Sequence, residues 1–258
     1  METTIEATFV RLRRLNIFMG IAHLVQGALM LAISSDYWLP VTTAFLRFDP
    51  VADRLVQDLD TLVQLRIGPM VAAFMFMSSL AHFAVASPWG FPWYVKNLRK
   101  GANYARWIEY SFSASLMIAI IAMLVGIYDI ASLILIFALN AMMILFGWMM
   151  ELHNQSTQKT DWTSFNFGCI AGAVPWVVIA IYLFGAGGGD GGPPGFVYGI
   201  FASIFVFFNV FAVNMVLQYR KVGRWRDYLY GERAYVWLSL IAKSALAWQV
   251  FGGTFRGV

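Results

Sequence analysis

The sequence predicts an all-α membrane protein that folds as a bundle of seven transmembrane helices. Its 258 residues are 60% hydrophobic and only 12% charged, whereas soluble globular domains carry about 25% charged residues. Seven apolar runs have the length that crosses a bilayer, about 20 residues. Because 18 basic and 14 acidic residues cannot cover a water-facing surface of this size, a soluble enzyme is excluded. A disulfide scaffold is excluded as well, since Cys169 is the only cysteine.

Each predicted span is an apolar run bounded by loop-forming residues. Ser34-Ser35-Asp36 ends the first span, Pro88 and Pro92 follow the second, and the glycine-rich run 185–195 precedes the sixth. The first connection is the longest and has room for a short hairpin or helix. Only residues 127–129 separate the third and fourth spans, so these helices are expected to be antiparallel neighbours. The predicted spans, within one domain over 1–258, are 15–34, 62–86, 103–126, 130–150, 163–184, 195–219 and 230–253.

Lysine and arginine residues are concentrated on one side of the predicted bundle. That side holds the N-terminal arm and the second, fourth and sixth connections, while the long first connection is acidic. Because cytoplasmic loops carry the excess of Lys and Arg, we expect a multi-pass protein of the cell membrane with its N-terminus inside and its C-terminus outside. We therefore attribute the net positive charge to membrane topology and to contact with membrane lipid. No nucleic-acid partner is expected. The basic residues on the predicted inner side are Arg11, Arg13, Arg14, Lys96, Arg99, Lys100, Arg106, Lys159, Arg220, Lys221, Arg224, Arg226 and Arg233.

One basic residue, Lys243, falls in the middle of the seventh span. An ionisable side chain at that depth costs about 2.5–3.5 kcal/mol even on permissive insertion scales, so it indicates a function. Ser239 precedes it by one helical turn, and Ala247 and Val250 continue the same face. This stripe of small and branched side chains leaves room for a flat, bulky ligand. Of the tryptophans inside spans, Trp248 is a further candidate ligand contact, as is Trp176.

Three other ionisable residues lie in the predicted inner half of the membrane: His23, His82 and Glu109. Glu109 is expected to be the only acid in the membrane interior. Helical spacing places Gln26 beside His23 and Ser78 beside His82, so we expect a polar cavity that opens towards the basic side. Two imidazoles and one carboxylate also form a known type of metal site. They come from three separate helices without His-x-x-x-His spacing, however, and no metal site is predicted.

Local sequences in five spans resemble the heliorhodopsins, a family of retinal-binding seven-helix proteins, and the similarity covers nearly the whole chain. The similar segments are Arg106-Trp107-Ile108-Glu109-Tyr110-Ser111, Ile144-Leu145-Phe146-Gly147-Trp148, Phe167-Gly168-Cys169-Ile170-Ala171-Gly172, Pro194-Gly195-Phe196-Val197-Tyr198-Gly199, and Gly231-Glu232-Arg233-Ala234-Tyr235 with Ala242-Lys243-Ser244-Ala245-Leu246-Ala247-Trp248-Gln249. Members of that family are inserted with the N-terminus inside, opposite to pumping microbial rhodopsins. The orientation obtained above from the arginine and lysine residues agrees with this.

The resemblance implies that Lys243 carries all-trans retinal as a Schiff base and that Glu109 is its counterion. His23 and His82 match residues implicated in accepting the proton after illumination. The resemblance further implies a homodimer. Residues that match positions lining the chromophore or the adjoining polar cavity are Ser239, Tyr110, Ser78, Asn140 and Gln26.

The function expected from this resemblance is light sensing rather than catalysis. The chain would signal by conformational change to an unknown cytoplasmic partner, without net ion pumping. One alternative is a light-gated proton channel or pump that uses the same chromophore. The other is a membrane enzyme with His23, His82 and Glu109 as metal ligands.

Overall fold

The structure, a computed structural model, describes residues 2–186 and 192–255. In this part of the chain seven helices are long and apolar enough to cross a membrane, which confirms the predicted number. Gly187–Gly189 of the glycine-rich run and Arg256 lie outside the described residues. The helices are α1 (Glu2–Ile33), α2 (Ile67–Ala86), the short α3 (Gly90–Leu98), α4 (Tyr104–Leu124), α5 (Ile130–His153), α6 (Thr163–Gly185), α7 (Gly195–Tyr219) and α8 (Tyr228–Phe255), with a 3₁₀ turn at Gly223–Arg226.

The connection between α1 and α2 forms a long β-hairpin, one of the two structures for which the sequence left room in this segment. Strands β1 (Trp38–Asp49) and β2 (Arg54–Arg66) pair antiparallel, with Trp38 opposite Arg66. Residues 62–66, predicted to begin the second span, belong to β2 because their backbone pairs with β1. The helix α2 therefore begins only at Ile67.

The hairpin is attached to the end of the bundle where α4 turns into α5. Thr42 N donates to Tyr128 O at 2.9 Å, and Arg66 Nη2 donates to Ser34 O at 3.0 Å. Gly126 has a φ of +94°, a conformation that glycine adopts without steric cost. As predicted, α4 and α5 leave this tight turn as packed neighbours.

The opposite end of the bundle carries the N-terminal arm, α3 and the 3₁₀ turn, and is called the basic end below. It holds the exposed Arg11, Arg99, Lys100, Arg220 and Lys221. The sequence does not predict α3, because Pro88 and Pro92 favour a loop.

Pro92 lies in the first turn of α3. Backbone N–H groups in a first turn have no acceptor within the helix, so a proline there costs no hydrogen bond. Tyr94 and Leu98 of α3 are buried against Phe9 and Leu12. This contact explains why α1 begins at Glu2, well before the predicted residue 15.

The central helix of the bundle is α4. In its most apolar stretch, 67% of the residues are buried. This is the largest share among the seven span-capable helices described. The other helices expose large apolar side chains such as Leu80, Phe112, Ile170 and Phe184 on their outer faces, as lipid-facing surfaces require. Polar residues on the inner face of α4 are consequently shielded on several sides.

Candidate functional site

The centre of the bundle contains an ion pair between Lys243 on α8 and Glu109 on α4. The distance from Lys243 Nζ to Glu109 Oε1 is 2.7 Å, and the side chains are 4% and 9% exposed. Lys243 Nζ also donates to Ser239 Oγ at 3.1 Å, and Ser78 Oγ donates to Glu109 Oε1 at 2.6 Å. Three helices thus bring together four of the residues singled out from the sequence.

Tyr110 completes this group. Its ring centroid lies 5.1 Å from Lys243 Nζ, and its hydroxyl donates to Tyr235 O on α8 at 2.9 Å. The ring faces a cation, and such contacts are worth up to about 2 kcal/mol when they are shielded from water. Tyr110 therefore both orients α4 against α8 and favours positive charge at Lys243.

His23 and His82 form a stacked pair, with ring centroids 5.5 Å apart and an angle of 11° between the rings. Asn16 Nδ2 donates to Leu12 O at 2.9 Å, so its Oδ1, at 2.8 Å from His82 Nδ1, is the acceptor. This arrangement assigns a proton to His82 Nδ1. His23 Nδ1 lies 3.4 Å from Met75 Sδ, and its Nε2 has no hydrogen-bond partner among the described residues.

A cavity of about 40 Å³ lies between this group and the basic end. That volume holds roughly one to three water molecules. Burial raises the pKa of the Tyr94 phenol on its wall, so this side chain stays neutral at neutral pH. The polar residues that line the cavity are Asn16, Ser78, His82, Tyr94, Asn103, Arg106, Glu109 and Tyr110.

Three residues singled out from the sequence are not part of this group. Trp248 is 42% exposed, and its Nε1 donates to Gln26 Oε1 at 3.2 Å, so neither residue lines the cavity. Five residues after Lys243 on a helix, Trp248 points about 140° away from it. Asn140 instead donates to Ser115 Oγ at 3.0 Å, between α5 and α4.

Trp176, in contrast, is buried in the apolar core. It packs edge-on against the rings of Phe201, Phe205 and Phe208. Of the two tryptophans considered as ligand contacts, Trp176 is therefore the buried one.

The expectation that Glu109 is the only acid in the membrane interior is wrong. Arg106, Glu151 and Glu232 form a second buried group, here called the inner acid cluster, with side chains 5%, 3% and 0% exposed. Arg106 Nη2 lies 3.0 Å from Glu151 Oε1, and Arg106 Nη1 lies 3.2 Å from Glu232 Oε1. The guanidinium is held between the rings of Trp107 and Tyr235, at 4.3 and 3.9 Å.

Sequence reasoning missed the inner acid cluster because both acids lie near the ends of spans, where carboxylates usually face water. Helical spacing carried the missing signal. Glu232 precedes Lys243 by eleven residues, about three turns, and therefore shares its face of α8. Arg106 precedes Glu109 by three residues and shares its face of α4 in the same way.

The surroundings of Lys243 fit the retinal that the resemblance implies. Its buried amine has one carboxylate and one hydroxyl as partners, and a Schiff base keeps a single N–H, which Glu109 is placed to accept. One turn beyond Lys243, the small Ala247 belongs to a buried apolar cluster with Met117 and Trp176. A polyene attached to Lys243 could extend along the apolar side chains of that cluster.

The metal-ligand set considered from the sequence receives no geometric support. Within residues 2–186 and 192–255, no group of three or more His, Cys, Asp or Glu side chains is arranged to hold a metal ion. Two imidazoles do meet, but they stack face to face.

Comparison with known proteins relates this geometry to the rhodopsins. The sequence model of the heliorhodopsin family matches residues 12–255. No curated protein matches the chain. Among solved structures, the transmembrane domain and linker region of the Salpingoeca rosetta rhodopsin phosphodiesterase is similar with a TM-score of 0.66 and 12% identity, over 99% of this chain and 76% of that one.

A light-driven proton pump from Leptosphaeria maculans is similar to the same degree. The TM-score is 0.66 at 13% identity, over 95% of this chain and 94% of the pump. At such identities these similarities concern the fold.

Proposed function

The chain belongs to the heliorhodopsin family, and we propose that it is a light sensor that carries all-trans retinal on Lys243 and signals by conformational change. The observation that carries this proposal is the buried Lys243–Glu109 pair, 2.7 Å apart at the centre of seven membrane-type helices. An unmodified lysine at this position would only destabilise the bundle. Covalent attachment of a chromophore gives this buried amine a function.

Retinal, when bound to Lys243, supplies visible absorption and a light-driven isomerisation. The residues of the chain set its charge balance. Glu109 stabilises the proton at Lys243 Nζ, while the hydroxyls of Ser78 and Ser239 fix the carboxylate and the nitrogen. Because this pair is shielded from water, its electrostatic interaction is stronger than that of a surface pair.

The nearest acceptors for a proton leaving Lys243 Nζ lie towards the basic end. Glu109 is in direct contact, and the cavity beyond it is lined by His82, which stacks on His23. On the other side, Lys243 borders the buried apolar cluster that includes Ala247. The nearest proton acceptors thus lie on one side of Lys243, which favours sensing over pumping.

We propose the orientation from the distribution of charge. The basic end carries the excess of exposed Lys and Arg residues, and such residues mark the cytoplasmic side. The N-terminus is then inside and the C-terminus outside. A homodimer and a cytoplasmic signalling partner, both implied by the family, complete the proposal.

Light-driven pH recordings on cells that express the chain with retinal test the absence of pumping. We expect no pH change beyond that of cells expressing Lys243→Ala, which controls for heating by light. Voltage clamp tests the alternative of a light-gated proton channel, which we expect to give no photocurrent. A light-driven pH change or a proton photocurrent that disappears in Lys243→Ala would overturn the sensor proposal.

A further inference from the structure

The inner acid cluster has more buried carboxylates than buried cations to pair with them. Arg106 is in ion-pair contact with both Glu151 and Glu232. The other buried cation described, Lys243, is paired with Glu109. Arg233, next in sequence to Glu232, is 38% exposed and lies 3.8 Å from Asp227. If both acids were ionised, the cluster would bury one unpaired negative charge, which is strongly unfavourable.

The hydrogen bonds distinguish the two acids. Glu151 accepts from Arg106 Nη2, Trp107 Nε1, Asn103 N and Tyr228 Oη, at 3.0, 2.5, 2.9 and 2.8 Å. Glu232 accepts from Asn103 Nδ2 at 2.7 Å and interacts with Gln218, while its Oε1 faces Arg106 Nη1 at 3.2 Å without a well-directed hydrogen bond. Since donors stabilise the ionised form of a carboxyl group, the negative charge belongs on Glu151 and the proton on Glu232.

The remaining titratable groups around Glu232 do not supply the missing positive charge. They are phenols, which are neutral at neutral pH. They are Tyr94 on α3, Tyr110 on α4, Tyr219 on α7, and Tyr228 and Tyr235 on α8.

Glu232 does not line the cavity but contacts two residues that do. Asn103 donates to Glu232 and Arg106 forms its ion pair, and both line the same cavity as Glu109. Along α8, Glu232 lies about 16 Å from the level of Lys243 at 1.5 Å per residue. A few water molecules in the cavity would bridge much of this distance.

We propose that Glu232 is protonated in the dark and is the donor that returns a proton to Lys243 Nζ after light has removed it. The O–H bond of Glu232 breaks, a proton passes along cavity water, and an N–H bond forms at Lys243. The carboxylate left on Glu232 then regains a proton from the basic end, and the proton first accepted by Glu109 and the histidine pair is released to the same end. The role as a donor rests on the proposed function, whereas the dark protonation state does not.

Infrared spectroscopy of the full chain tests the dark state with or without retinal. We expect a carbonyl band of a protonated carboxyl group that shifts in D₂O and is absent from Glu232→Gln. Glu151→Gln should also lose the band, because Arg106 would then pair with an ionised Glu232. The control Glu6→Gln, at an exposed acid paired with Arg99, should keep it.

The absence of this band from the unmutated chain at neutral pH would overturn the proposal. The N-termini of α4 and α8 would then supply the balancing potential for two ionised acids. If Glu232→Gln does not fold, the unmutated chain labelled with ¹³C-glutamate shows whether a glutamic acid carries the proton, and the loss of the band in Glu151→Gln places it in the inner acid cluster. A band that is unmoved by this label would overturn the proposal.

Flash photolysis tests the role as a donor. In the unmutated chain we expect the visible band to recover at a rate nearly independent of pH. In Glu232→Gln, recovery must draw on protons from solution and should slow about tenfold for each pH unit of increase. Recovery in Glu232→Gln that stays independent of pH would overturn the donor role. Failure of the proposed function would instead appear as the absence of any visible band.

Discussion

Replacement of Glu109 by glutamine removes a negative charge beside Lys243 and keeps the size of the side chain. Coulomb's law with an effective dielectric constant of about 20 gives an attraction of about 6 kcal/mol for unit charges at the 2.7 Å separation of this pair. At about 1.4 kcal/mol per pH unit, this equals roughly four pH units. The glutamine still accepts a hydrogen bond and cavity water screens the charge, so we expect about three units.

A spectroscopic pH titration of the protein with retinal measures this effect. In Glu109→Gln, the midpoint at which the visible band gives way to the near-ultraviolet band should move to lower pH by about three units. Any remaining visible band should lie at longer wavelength, because the positive charge is held less tightly near the nitrogen. The titration is done in a halide-free buffer. Chloride would otherwise take the place of the carboxylate beside Lys243 and reverse part of the shift.

Two further variants provide a smaller expected shift and a control without a shift. Ser78→Ala removes one hydrogen bond to the carboxylate, worth about 1.5–3 kcal/mol, and should move the midpoint by one to two units. Asp58→Asn, at an exposed acid of the hairpin, should leave it unchanged. If the midpoint and absorption maximum of Glu109→Gln equal those of the unmutated protein without halide, Glu109 is not the counterion.

The remaining predictions concern the histidine pair, the inner acid cluster and the α5–α6 connection. Replacement of both His23 and His82 by phenylalanine should keep the visible band but change the lifetime and pH dependence of the deprotonated state in flash photolysis; unchanged kinetics would give the pair a purely structural role. Trp107→Phe removes the 2.5 Å hydrogen bond to the buried carboxylate and should destabilise the fold by about 1.5–3 kcal/mol, which lowers the thermal midpoint more than the lipid-facing control Trp237→Phe does. Hydrogen bonding from the backbone amide two residues on lowers the pKa of Asp161, so its ionised form stabilises the fold above the unfolded pKa of about 4 and this contribution is lost as pH falls through the lowered value. Asp161→Asn should accordingly have a lower thermal midpoint than the unmutated chain at neutral pH but not in acid; a difference that persists at low pH would contradict this.

Hydropathy was sufficient to predict the seven spans, because a bilayer demands about 20 consecutive apolar residues. It failed at residues 62–66, where Leu62, Val63 and Leu65 extend the apolar run into a strand. Apolar residues within a strand and at the start of a membrane helix give the same average hydropathy. Only the pairing of this segment with β1 distinguishes them.

The central pair was predictable for a different reason. Lys243 is conspicuous as the one cation deep in a span, and the resemblance to heliorhodopsins supplied Glu109 as its partner. Trp248 was misplaced because its position inside a span does not specify which way its side chain points. The angle of about 140° from Lys243, which follows from the helical repeat, places it on the outer face.

The inner acid cluster could not be predicted from hydropathy at all. Glu151 lies close to the end of α5, a region where acids ordinarily reach water. It is buried here because Arg106 and Trp107 at the start of α4 and Tyr228 at the start of α8 contact it. The burial of Glu151 therefore depends on tertiary packing, which the hydropathy of single spans does not predict.

The central claim, that Lys243 is the attachment site of retinal, is tested most directly by an absorption spectrum. The full chain expressed with all-trans retinal should show a visible band that hydroxylamine bleaches. Lys243→Ala should fold, as judged by its thermal midpoint and elution profile, and should be colourless. A visible band of unchanged position in Lys243→Ala, or none in the unmutated chain, would contradict the claim.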